Sequence, residues 1–105
     1  MNESPVARQI EALQADYEAL VESARQREWR QCSEILSRCR DGYGRLFGNS
    51  PDSLRHYVVE LQQLQRINRQ TLDYVDTLRR EKAKELAQLR RGRQMMAQYS
   101  DCQTT

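Results

Sequence analysis

Apolar residues recur along this chain in steps of three and four, and the runs they form predict helices. In the first run Ile10, Leu13, Tyr17, Leu20 and Ala24 draw one stripe, widened by Val21, with Glu11, Asp16, Glu18 and Glu22 on the polar side. Ser4 followed by Pro5 supplies an N-cap and a rigid first turn, so this helix is expected over about 5–25. A second stripe runs through Trp29, Cys32, Leu36, Cys39, Tyr43 and Leu46, broadened by Ile35, and predicts a helix over about 28–46. Arg25, Gln26 and Arg27 separate the stripes without a proline or glycine. Because the stripes do not stay in phase, a short turn between antiparallel helices is expected in place of a single bent helix.

Gly42, Gly44, Gly48 and Asn49 are expected to loosen the end of the second helix, and residues 47–50 read as a loop. Ser50 and Pro51 then repeat the start signal. No proline or glycine interrupts the chain from there to Arg91, so a third helix is expected over about 51–91 or beyond. At 1.5 Å per residue it would be about 60 Å long. Leu54, Val58, Leu61, Leu64, Asn68, Leu72, Val75, Leu78, Leu86 and Leu89 form its seam at near-heptad spacing. Two helices of about 30 Å can line only half of it. The expected fold is therefore all-α, one helical domain over 1–105, an antiparallel three-helix bundle with one long third helix. The seam should be buried to roughly Leu78, with the remainder left to project or to dimerise and residues 100–105 frayed.

Composition agrees with a thin helical core, since charged residues make up 30% against 38% hydrophobic, with one Phe and one Trp. The net charge is only +2, but its distribution is uneven. From Arg79 to Arg93 seven basic residues face two acidic ones, a net +5, which leaves −3 for the rest. Such a run could grip phosphates. Glu81, Glu85, Asp73 and Asp76 nevertheless allow pairs one turn apart, and no aromatics are interleaved for base stacking. A solvated helix face is the preferred reading, with an acidic protein partner as an alternative and no nucleic acid.

No basic start with an apolar run opens the chain, and its unbroken apolar stretches are about three residues long, against the ~20 that span a bilayer. A soluble, unprocessed, cytoplasmic protein without membrane insertion is expected. Cys32 and Cys39 lie about 10 Å apart along one helix, beyond disulfide reach, which suits a reducing compartment. With His56 they would offer at most three ligands where structural zinc takes four. No phosphate loop, nucleophile elbow or paired-histidine motif occurs, so neither an enzyme nor a cofactor or metal site is expected. Asn68 within the seam is either a buried register-fixing residue or a point where the stripe meets water. Met95, Met96 and Tyr99 read as ordinary last-turn packing in preference to a sticky tail.

Arg27-Glu28-Trp29, Asn68-Arg69-Gln70-Thr71-Leu72, Glu85-Leu86 followed by Leu89, and the terminal Ala97-Gln98-Tyr99 resemble, in their order and spacing, the flagellar export chaperone family FliT. The resemblance spans roughly residues 10 to 99. It implies a cytoplasmic chaperone of the flagellar type III secretion system, dedicated to the filament-cap protein FliD. Such chaperones cover the sticky end of their client, prevent premature assembly and deliver it to the export ATPase complex and export gate. In some bacteria members also bind the flagellar master transcription activator. The gate contact implied by the resemblance would fall on Tyr99.

A client helix laid between the second and third helices would be held by helix-in-groove recognition. Seam position makes Leu36, Cys39, Tyr43, Leu61, Leu64, Leu72 and Val75 the candidates, most of which could equally be plain core. FliT proteins can carry a further C-terminal helix that restrains partner access, whereas six residues follow Tyr99 in this sequence. Any restraint is then expected from Met95 to Tyr99, from self-association, or not at all. The alternative function is a self-associating coiled-coil adaptor, a homodimer through the third helix with Asn68 setting register.

Overall fold

The computed structural model describes the backbone of residues 4–103 and the side chains of residues 4–98. Helix α1 spans Pro5–Arg25 and α2 spans Trp29–Phe47, each within one residue of expectation. The third element is stepped at its start. A short α3, Pro51–Leu54, passes through a 3-10 turn at Arg55–Tyr57 into α4, Val58–Gln103. Among the described residues there is no strand, and the all-α class holds.

Both serine caps form as expected. The Ser4 hydroxyl accepts from the Ala7 amide at 3.1 Å, and that of Ser50 from the Ser53 amide at 3.3 Å. Helix α1 ends by a less visible device. The Arg27 amide donates to the Ala24 carbonyl and the Glu28 amide to the Ser23 carbonyl, while Arg27 adopts φ 57°. This is the Schellman arrangement, with arginine in the left-handed position usually given to glycine. Helix α2 is not loosened by its glycines but continues through Gly42 and Gly44 to Phe47. At Gly42 a Cβ would lie 3.4 Å from Leu13 Cδ1, at the near edge of ordinary contact between α1 and α2.

The chain divides into two compact units, Met1–Val75 and Asp76–Thr105. In the first, α2 runs antiparallel to α1: Asp16 pairs with Arg38 at 3.7 Å, and further toward the other end the Asn49 amide reaches Gln9 at 2.6 Å. The α4 segment of this unit runs parallel to α1, because Ser4 meets Tyr57 and Tyr17 meets Asn68. The result is the expected up-down-up bundle of three helices. Leu13, Tyr17, Leu20, Cys32, Leu46 and Leu64 fill its centre at 1% exposure or less.

The seam on α4 differs from expectation in phase. Leu61, Leu64, Thr71 and Val75 are buried, whereas Val58 is 50% and Leu72 38% exposed. Steps of three and four from Leu61 reach position 71 before 72, so helix geometry places Thr71 inward although Leu72 is the more apolar residue. Among the described residues none beyond Val75 is buried.

The second unit is helical up to Gln103, so Gly92 does not end the helix and the backbone of Ser100 to Gln103 continues it. Arg80 pairs with Asp76 one turn away at 2.9 Å. Leu86, Leu89, Met95 and Met96 are exposed, the last two at 69% and 72%, which corrects the expectation that the methionines pack as an ordinary last turn. The Tyr99 side chain, Thr104 and Thr105 lie outside the described residues.

Candidate functional site

Three grooves run between the helices of the first unit, and they differ in what lines them. The groove between α1 and α4, about 510 Å³, sets Tyr17, Val21 and Ile67 among Gln14, Glu18, Glu22, Arg25 and Thr71. That between α1 and α2, about 320 Å³, is ringed by Arg8, Gln9, Asp16 and Arg45. Between α2 and α4 a mainly apolar cleft adjoins a more polar one. A cleft of about 170 Å³ is lined by Leu36, Cys39, Arg40, Tyr43, Asn68 and Leu72, and it shares Tyr43, Asn68 and Leu72 with an adjoining cleft of about 380 Å³ that adds Gln65, Arg69 and Asp73.

Helical spacing explains why these residues meet. Leu36 and Tyr43 are seven apart on α2, Asn68 and Leu72 four apart on α4, so each pair occupies one face. The Tyr43 ring also stacks against Phe47 with centroids 4.5 Å apart, which steadies it as a wall. Cys39 lies beneath, 2% exposed. Burial pushes its thiol up to about 11, with Asp16 adding and Arg38 opposing. It is therefore an inert apolar surface at neutral pH and not a nucleophile.

Asn68 is the polar centre of this face. Its carbonyl oxygen accepts the Tyr17 hydroxyl at 2.5 Å, so the half-buried amide is bonded to α1 from within the bundle. Burial raises the Tyr17 phenol well above its ordinary value, with Cys39 and Tyr43 adding, and keeps it a neutral donor. No buried side-chain nitrogen or oxygen among the described residues lacks a partner.

The seven residues expected to line a client groove thus separate. Leu36, Tyr43 and Leu72 lie on the groove wall and Cys39 at its floor. Leu61, Leu64 and Val75, at 8%, 0% and 2% exposure, take the core role. Arg40 and Arg69 were missed, although a basic residue four positions from Leu36 and one three positions before Leu72 stand on the faces already chosen. Among the described residues no group of three or more His, Cys, Asp or Glu is placed to hold a metal, and no helix is long and apolar enough to cross a membrane.

Residues 7–101 match the family model described as Flagellar protein FliT. The chain belongs to the FliT family. The match covers nearly all of the 105 residues and includes the stretch, about 10 to 99, on which the resemblance was read. It gives this FliT-family chain a role connected with the flagellum. No curated protein and no solved structure matches it.

Proposed function

We propose that this FliT-family protein is a flagellar export chaperone that holds the C-terminal segment of the filament-cap protein FliD in the groove between α2 and α4. The observation that carries the reading is a coincidence of motif and surface. The Asn68-Arg69-Gln70-Thr71-Leu72 stretch contributes Asn68, Arg69 and Leu72 to the groove, opposite Leu36 and Tyr43. A helix laid there would cover Leu72 and the Tyr43 ring, in the manner of an amphipathic helix entering an apolar groove. The protein acts by stoichiometric binding, without catalysis or cofactor, in the cytoplasm. It keeps its client from premature assembly and passes it to the export ATPase complex and the export gate, where Tyr99 makes contact. The flagellar master transcription activator is a further partner of the same class of surface. Gel filtration of the purified protein with the FliD C-terminal segment should yield a joint peak, and Tyr99→Ala should bind client normally while lowering export. Loss of client affinity in that variant would place Tyr99 in the groove instead.

A second reading, self-association as an adaptor, is favoured by the exposed Leu86, Leu89, Met95 and Met96. Sedimentation across a concentration series separates the two. A concentration-independent dimer that does not bind the FliD segment supports the adaptor.

A further inference from the structure

The groove between α2 and α4 carries polar groups that core packing does not use. The Asn68 carbonyl oxygen accepts from the Tyr17 hydroxyl, which turns the amide nitrogen the other way, on a residue that lines both halves of the groove. That nitrogen has no hydrogen-bond partner among the described residues and is not among buried unsatisfied atoms, so it is open to solvent. Arg40 borders the first half of the groove and Arg69 the second. Both are exposed, and neither forms a hydrogen bond or ion pair among the described residues. Asp73, the one carboxylate on the lining, is already engaged in an interaction. The Arg40 guanidinium and the Asn68 amide therefore border an apolar hollow of about 170 Å³, and the Arg69 guanidinium borders the cleft that adjoins it. A cavity of about 150 Å³ accommodates a benzene-sized group, so the hollow suits one large apolar side chain.

We infer that the groove reads charge as well as shape: its occupant is an acidic amphipathic helix that places one large apolar side chain among Leu36, Tyr43 and Leu72 and turns carboxylates toward Arg40, Arg69 and the Asn68 amide. The inference rests on the chaperone reading and specifies its client chemistry. Two guanidinium groups against the single carboxylate of Asp73 leave the lining net positive, and with the Asn68 amide they favour an occupant that brings carboxylate acceptors. Arginine suits that task because its planar fork meets a carboxylate through two hydrogen bonds. Tyr17 enters as a positioning residue, since its bond to the carbonyl fixes which end of the Asn68 amide faces outward. A basic or uncharged apolar helix would leave the guanidinium groups repelled or without acceptors.

Calorimetry on the full chain with a synthetic FliD C-terminal segment tests this, run at low and high salt. The Arg40→Gln, Arg69→Gln double variant should lose about five- to tenfold in affinity and most of the salt dependence, because exposed charges act weakly and are screened. Replacing Asp and Glu of the segment by Asn and Gln should produce the same loss with the wild-type protein and little further loss with the double variant. Asn68→Asp retains an acceptor for Tyr17 while presenting a negative charge, and should weaken binding with the helix content unchanged. Tight binding of the wild type that ignores salt and both sets of changes would overturn the charge readout and leave the chaperone reading standing. No binding of the wild type would overturn both.

Discussion

The hydroxyl of Tyr17 on α1 donates to the Asn68 side-chain carbonyl on α4 at 2.5 Å, with Tyr17 1% exposed. This bond joins the helix that carries the acidic face to the helix that carries the groove. Tyr17→Phe removes the donor and leaves a half-buried acceptor, so it should cost about 1 kcal/mol in urea unfolding. A double-mutant cycle with Asn68→Ala should return a coupling of similar size, and additivity of the two changes would mean that the bond contributes nothing.

The turn after α1 stores a correctable cost. Arg27 holds φ 57° within the Schellman hydrogen bonds, and an L-residue there is disfavoured relative to glycine by about 1 kcal/mol. Arg27→Gly should therefore raise the urea midpoint, offset in part by the greater freedom of glycine in the unfolded chain. A lower midpoint would show that the arginine side chain contributes more through its own interactions than its backbone costs.

Alkaline pH should weaken the fold. Burial lifts the Cys39 thiol from 9.0 to about 11 and raises the Tyr17 phenol, and both groups are neutral when protonated. The folded protein holds these protons at pH values where the unfolded chain releases them. The associated stability is fully present below about pH 9 and is lost as pH rises through about 11. The urea midpoint should fall from about pH 8 to about pH 10.5, and less steeply in Cys39→Ala. A flat or rising profile would contradict the burial of both groups.

Much of this fold was legible because its signals are local. Ser4-Pro5 and Ser50-Pro51 announce helix starts through cap and proline chemistry, and the stripes through Leu13, Tyr17 and Leu20 or Cys32, Ile35 and Cys39 follow from helix period alone. The turn at 26–28 was hard to place because an arginine does the work of glycine, leaving no breaker to read. The 3-10 turn at Arg55–Tyr57 likewise has no local mark, and Tyr57 there bonds to Ser4, 53 residues away. Of the groove, Leu36, Tyr43 and Leu72 could be read from spacing. Asn68 could not be assigned until Tyr17 supplied its partner, although a stripe tyrosine and a seam asparagine each require one and so hint at one another.

Leu64 and Leu72 stand on the same helix and should respond oppositely to substitution. Leu64, fully buried, should cost about 2–5 kcal/mol on replacement by alanine. Leu72, 38% exposed on the groove wall, should tolerate glutamate with little change in helix content or urea midpoint. Circular dichroism with a urea series decides the comparison, and equal damage from both would place Leu72 in the core.

The most direct measurement is calorimetric titration of the FliD C-terminal segment into the wild-type protein and into the folded Leu72→Glu variant. A one-to-one complex in the micromolar range with the wild type, lost in the variant, is the expected result. Absence of a complex at tens of micromolar, or equal affinity in the two proteins, would contradict the assignment of the groove between α2 and α4 as the client site.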